Sequence, residues 1–333
     1  MSTHHVRPPL TPHVSHPDLP TGVHLLERGW LSSNNVLLVS EHESVLIDSG
    51  YVSHAEQTLQ LVQSHLGQRP LDRLLNTHLH SDHCGGNARL QAHYPKLHTA
   101  IAPGEAQWVM PWQAEHLSHE STGQQCEPFT YNSLLQPGAT LELAGRQWQV
   151  LAAPGHDPHA IVLWCEAEGV LLSADALWEN GFGIVFPELV GEPGFADVRA
   201  SLDMIEALGA RVVLPGHGRV ITDVAQALQR ARTRIAQFEQ HPSSHHQHAI
   251  KALLKFLLLD WKSCTWQRLC DWVAQAPIIH RAMQLGLARG YAPAAQPSPW
   301  HCANDMQRWL SHAVLSLQAQ AQLQVEGEWI SNP

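Results

Sequence analysis

The stretch Thr77-His78-Leu79-His80-Ser81-Asp82-His83-Cys84-Gly85-Gly86-Asn87 limits what this chain can become more than any other. Four side chains able to bind a metal ion, His78, His80, Asp82 and His83, fall within six positions. They follow Leu71–Asn76, whose Leu71, Leu74 and Leu75 read as a buried strand ending at Thr77. In extended backbone His78 and His80 point the same way, so one metal can take both. Past the strand end the backbone turns and can aim Asp82 and His83 at a second. Imidazoles suit zinc, and the carboxylate adds a hard oxygen donor. Gly85-Gly86 permits a tight bend, and the next helix can start at or after Asn87, an N-cap residue type. A chain with 25 His yields chance clusters, but chance rarely yields this spacing at a strand end.

Three isolated pieces extend the set. Ala153-Pro154-Gly155-His156 follows the strand-like Gln147–Ala152, Ser173-Ala174-Asp175 follows the apolar Val170–Leu172, and Pro215-Gly216-His217-Gly218 follows Val212–Leu214. Each is an apolar run, a turn and a ligand-type residue, the usual way an α/β scaffold carries a site on its strand ends.

With these pieces in order, residues 20–235 resemble the metallo-β-lactamase superfamily. Its first motif, an Asp ending a strand, matches Val45-Leu46-Ile47-Asp48-Ser49-Gly50. The resemblance implies that His78, His80 and His156 hold one metal, that Asp82, His83 and His217 hold the other, and that Asp175 bridges them. Asp48 then orients a ligand rather than binding metal itself. The implied cofactors are two divalent ions per chain, zinc first, with manganese or iron as alternatives. The implied reaction is hydrolysis of a thioester, ester or lactone carbonyl by a metal-bridging hydroxide, with Asp82 and Asp175 as the catalytic carboxylates and Asp82 orienting the nucleophile and passing a proton. The oxidoreductase branch of the family has Glu where this chain has His80, and the main β-lactamase branch has Cys where it has Asp175. No Gly-x-Ser-x-Gly occurs, so no acyl-enzyme is expected. A ribonuclease and a metal-binding module without catalysis are the alternatives.

Charge separates the substrate classes. Met1–Arg230 carries 24 acidic and 11 basic residues, and Ala231–Pro333 carries 6 and 9. A nucleic acid would approach the proposed site against that field, and no Lys/Arg run offsets it, so a small-molecule substrate is favoured over nucleic acid. The six Cys form no Cys-x-x-Cys pair and read as reduced, mostly buried thiols, Cys84 among them as a small packing residue. No apolar leader and no run of 18 apolar residues is present, which leads to an expectation of a cytoplasmic protein with no membrane contact.

The expected organisation is a disordered arm over 1–20, a catalytic domain over 21–240 and a helical domain over 241–333. Periodicity alone supports a mixed α/β domain; the resemblance implies a four-layer αββα sandwich. Two long connections, Gly104–Pro137 and Leu177–Pro193, carry aromatics. In the second, Trp178, Phe182 and Phe186 are candidates for a substrate pocket, together with Arg219 just beyond His217. Beyond the breaker-rich His241–His246, residues Ile250, Leu253, Leu254, Leu257, Leu258 and Trp261 fall at helical spacing and need a partner surface. Two shorter helices, a Pro/Ala loop, a last helix and a hairpin over Leu323–Ile330 complete a tail that resembles a winged helix. Homo-oligomerisation through this tail, or cover of the active site by it, is expected.

Overall fold

A computed structural model of the chain describes residues 16–294 and 296–333, so most of the expected N-terminal arm lies outside the described residues. Adjacent apolar residues in the strands explain the layering. Leu37 and Leu38, or Leu46 and Ile47, cannot both face one core, because alternate side chains leave a strand on opposite sides. The sheets are therefore covered twice.

The first sheet has the order β1 (Val23–Leu26), β2 (Asn35–Val39), β3 (Ser44–Ile47), β4 (Arg73–Asn76), β5 (His98–Ile101) and β6 (Ser133–Leu134). Its first three strands are antiparallel and the rest parallel. The second runs from β7 (Thr140–Leu143) through β8 (Arg146–Ala152), β9 (Ile161–Cys165) and β10 (Val170–Ala174) to β11 (Val212–Pro215), with only the β10–β11 pair parallel. Between the sheets Leu38, Val45, Ile47 and Leu75 meet Trp148, Val150, Leu163, Leu172 and Leu214. Trp148 is wholly buried there, and its loss to Ala would cost about 3–5 kcal/mol.

The opposite faces are capped by helices. Leu37, Leu46 and Leu74 pack on Leu59, Val62 and Leu66 of helix Ala55–Leu66. Val162, Trp164, Leu171 and Val213 pack on helices Phe195–Leu208 and Val224–Gln240. The result is the αββα sandwich. The Leu143-to-Arg146 reversal is a tight turn with Ala144 and Gly145 at φ 48° and 76°, a geometry suited to a two-residue hairpin.

The tail starts at a real break. Helix Val224–Gln240 stops at His241, and Pro242 opens helix Pro242–Trp261, where its missing N–H costs nothing. Ile250, Leu253, Leu254, Leu257 and Leu258 of this helix are buried against helices Trp266–Gln275, Pro277–Ala288 and Asp305–Ala319. The apolar stripe is thus largely consumed within the chain's own bundle. A small sheet of β12 (Ser263–Thr265), β14 (Trp329–Ser331) and β13 (Gln324–Glu326), in that order, closes it. The hairpin was expected; β12 was not, since Ser-Cys-Thr is too short to show a period. Trp266 stacks on Trp300 at 4.4 Å between ring centres. Among the described residues no helix is long and apolar enough to cross a membrane.

Candidate metal centre

The parallel pairs β3/β4 and β10/β11 end at one edge of the sandwich, and the expected ligands gather there. Thr77, His78 and His80 leave β4. Ser81–Cys84 then forms one helical turn, where the sequence had suggested only a bend, and it swings Asp82 and His83 back toward the strand ends. His156 follows β8, Asp175 follows β10 and His217 follows β11. The Ile161 N–H donates to the Thr77 carbonyl at 3.0 Å, stitching the two sheets together beside the site.

The ligand-type atoms fall into overlapping groups within 4.8 Å: His78, His80 and His156; His78, His83 and Asp175; Asp82, His83 and His217. His80 Nδ1 lies 3.1 Å from His78 Nε2 and 2.8 Å from His156 Nε2. Asp175 spans both sides, with Oδ1 3.4 Å from His83 Nε2 and Oδ2 3.3 Å from His156 Nε2 and 3.9 Å from His217 Nε2. His217 Nε2 donates to Asp82 Oδ2 at 3.1 Å. All seven expected ligands are therefore together.

A second layer of contacts aims them. Asp48 takes three hydrogen bonds, from the Thr77 N–H at 2.9 Å, the Thr77 hydroxyl at 2.8 Å and His83 Nδ1–H at 2.8 Å. That leaves His83 Nε2 facing inward, buried and without a hydrogen-bond partner. His156 Nδ1–H donates to the Ile184 carbonyl at 2.6 Å, and Trp178 Nε1–H donates to Asp175 Oδ1 at 3.1 Å. Asn34, from the early turn, donates to the carbonyls of Pro215 at 3.0 Å and Gly218 at 2.7 Å and so fixes the His217 loop. Backbone strain collects at the carboxylates: Asp48 has φ 58°, and Ala174, just before Asp175, has φ 45° where the β10–β11 register shifts. Gly216 is needed for closeness, because a Cβ there would lie 2.2 Å from Asp175 Oδ1 and 3.0 Å from the Ala174 backbone.

The protonation states suit cations. Burial lowers the proton affinity of His78, aided by the neighbouring imidazoles, and brings His80 and His156 to about 4, which keeps their lone pairs free. Burial would also discourage charge on Asp175 and Asp82, but His83 and His217 outweigh it and hold both carboxyls low. Burial works against charge on His83, but Asp175, Asp48 and Asp82 outweigh it and keep its proton on, and a cation among the same carboxylates would take that proton's place. Three crowded neutral imidazoles, His83 Nε2 and two ionised carboxylates then form a donor set that fits two divalent ions.

A cavity of about 80 Å³ opens over His80, Asp82, His156, Asp175 and His217. Trp178 and Phe186 line it, as expected, and Phe186 packs on His80 at 4.9 Å and His156 at 5.5 Å between ring centres. Phe182 does not line it. It is buried behind the wall, edge-on to Phe238, because the turn at Gly181 rotates it into the helix layer. Arg219 is exposed and also stands off the lining. Cover of the site by the tail was one of its two expected roles, but the other wall residues were not picked out from the sequence: Trp30, Thr122 and Gln124 from loops, and His248, Ala252, Leu253 and Phe256 from helix Pro242–Trp261. Asp157, buried 3.6 Å from His80 Nε2, was also missed although it adjoins His156.

The family model of the metallo-beta-lactamase superfamily matches residues 28–217. The chain belongs to this superfamily. It is 30% identical over 224 residues to a hydroxyacylglutathione hydrolase of Xanthomonas euvesicatoria, covering 67% of this chain and 75% of that enzyme. To a lactamase-like protein of Penicillium aethiopicum it is 28% identical, covering 69% of this chain but only 63% of the fungal one. An atrochrysone carboxyl ACP thioesterase of Aspergillus chevalieri is 26% identical over 210 residues, 60% of this chain and 56% of the thioesterase. Among solved structures, a metallo-beta-lactamase family protein of Thermus thermophilus superposes with a TM-score of 0.54 at 23% identity, covering 94% of this chain and 99% of its own. That likeness spans the tail as well as the sandwich.

Proposed function

We propose that the protein is a dinuclear metal-dependent hydrolase of a small thioester, ester or lactone. The observation that carries this reading is the placement of Asp175, which reaches imidazoles of both groups and faces a cavity walled by Trp178, Phe186, Leu253 and Phe256. His78, His80 and His156 would hold one ion, Asp82, His83 and His217 the other, with Asp175 between them and zinc the ion expected first. Bound there, such ions acidify water toward neutral pH and polarise a carbonyl. The chain's own residues do the rest. Asp82 lies on the cavity wall with Oδ2 already accepting a proton donor, so it can orient the attacking water and take its proton. Trp178 holds the Asp175 carboxylate in one rotamer. The apolar wall excludes bulk water and suits an acyl chain or lactone ring better than a phosphodiester backbone.

The hydrolase and thioesterase relatives support the reaction class, as does the absence of a Gly-x-Ser-x-Gly nucleophile motif. The test sets zinc- and manganese-loaded protein against thioesters, lactones and single-stranded RNA. Turnover of a carbonyl substrate, abolished in His80→Ala, is the expected result. RNA cleavage abolished by the same substitution, with no carbonyl turnover, would replace the reading with a ribonuclease.

A further inference from the structure

Behind the motif lies a second cluster that the proposed chemistry does not use. Cys84 follows the ligand candidate His83 and points away from the cavity, into the connection over 104–137. There it meets His119 and Cys126, with one ligand atom from each residue within 4.8 Å of the others. Cys84 and His119 are buried and Cys126 is half-buried. The Cys84 and Cys126 sulfurs are 3.8 Å apart, and Cys84 Sγ is 3.6 Å from His119 Nε2. A tetrahedral zinc with Zn–S of about 2.3 Å and Zn–N of about 2.0 Å separates its ligands by about 3.8 Å between sulfurs and about 3.5 Å between sulfur and nitrogen. The edges in hand match that figure. The Leu79 carbonyl oxygen lies beside the group, 2.8 Å from His119 Nε2 and 3.5 Å from Cys84 Sγ, so a fourth donor is at hand once His119 moves back by about 0.5 Å. His119 Nδ1 is buried with no hydrogen-bond partner.

We propose that Cys84, His119 and Cys126, completed by the Leu79 carbonyl, form a separate structural site for a thiophilic divalent ion, zinc by its chemistry. On binding, both thiols release their protons to solvent, and the His119 proton moves from Nε2 to Nδ1. Metal–donor bonds then replace the N–H···O bond to Leu79 and the weak thiol contacts. No oxidant or reductant is involved. The consequence is mechanical. Thr122 and Gln124 lie between His119 and Cys126 and line the catalytic cavity, while the Ser81 hydroxyl donates to Gln124 from within the motif helix. One ion at this point ties the motif to that stretch of cavity wall, in a segment with little regular structure of its own.

Cobalt reads the site directly. A thiolate ligand gives cobalt(II) a sulfur-to-metal charge-transfer band in the near ultraviolet, and the histidine and aspartate set at the cavity cannot. The full chain, purified without chelator and reconstituted with zinc or cobalt, is expected to bind about one metal equivalent more than Cys126→Ser. It should show the band, lose it in Cys126→Ser, and keep it in a Cys270→Ser control. Circular dichroism checks that each variant is folded, and His119→Gln is the second variant should Cys126→Ser fail to fold. A wild-type protein without the band overturns the proposal, as does a band or metal count unchanged in both variants. A Cys84–Cys126 disulfide found by peptide mapping of protein purified under argon would overturn it in favour of a redox-active thiol pair.

Discussion

The metal cradle and the cavity wall opposite it are built in different ways. In the cradle, each expected ligand leaves a strand end or the turn beside it, and three of the seven are aimed by a further hydrogen bond: His83 by Asp48, His156 by the Ile184 carbonyl, Asp175 by Trp178. The wall is assembled from Trp30, the 119–126 segment and helix Pro242–Trp261, and it is mostly held by apolar contact, such as Phe256 edge-on to Tyr51 at 5.3 Å. A cradle over-determined by hydrogen bonds tolerates strained backbone at Asp48 and Ala174. A wall held by packing can change its residues without disturbing the chemistry. Reaction type therefore belongs to the cradle, and choice of substrate to the wall.

The sharpest break of this contrast is Asp175→Ala. It removes the carboxylate that reaches both imidazole groups, and leaves strand β10 and its buried residues intact. Turnover is expected to fall at least about a thousandfold, roughly 4 kcal/mol in the barrier. Metal content should drop from about two cavity ions toward one. Steady-state kinetics with elemental analysis on the same preparation checks this; near-native turnover at full metal load would remove Asp175 from its assigned place.

Asp48→Asn is next in size. The amide can still accept from the Thr77 N–H but cannot hold His83 Nδ1–H as a carboxylate does, so His83 loses basicity and orientation. A 10–100-fold weaker metal affinity is expected, measured by competition with a chelator, with melting temperature nearly unchanged in the loaded state. On the other side of the comparison, Phe256→Ala should raise KM by about tenfold and leave kcat within a few fold, because it touches the wall alone. A kcat loss as large as that of Asp48→Asn would show that the wall and the cradle are not separable.

The same difference explains what could be read from the chain. His78 to His83 were legible because their spacing lies within one strand end and its turn, and His156, Asp175 and His217 because each ends an apolar run. Periodicity reached only a mixed α/β domain, and the two-sheet sandwich came with the family resemblance, because adjacent buried pairs such as Leu37-Leu38 do not say what covers each face. The wall's residues were not legible, since Trp30 and Phe256 come to line one cavity only after the tail folds back over the site. Phe182 and Phe186 looked equivalent because an irregular segment has no period to say which ring turns inward. Cys84 read as a packing residue, as its burial warranted, but His119 and Cys126 lie far along the chain and gave no sign of sharing its environment.

The smallest predicted effect tests how wall and cradle are joined. His245, in the first turns of helix Pro242–Trp261, accepts the Val185 N–H at Nε2 over 3.2 Å, and Val185 adjoins Ile184, whose carbonyl holds His156. Burial, with His246, His248 and Arg234 nearby, lowers the His245 pKa to about 3, from about 6.5 in the unfolded chain. Above pH 6.5 both states hold the ring neutral and it adds no pH dependence. As pH falls from 6.5 toward 3, the unfolded chain binds a proton that the folded one refuses, so stability declines, by at most about 1.4 kcal/mol per pH unit for one such group. His80 and His156 titrate in the same direction down to about 4, so the share of His245 must be read by difference. His245→Gln keeps an acceptor for Val185 and removes the titration. Urea unfolding of both proteins at equal metal load, at pH 7 and pH 5, should therefore show a shallower acid loss in the variant. Equal slopes would mean that the folded chain accepts a proton on His245 as readily as the unfolded one, and that this contact between wall and cradle carries no pH dependence.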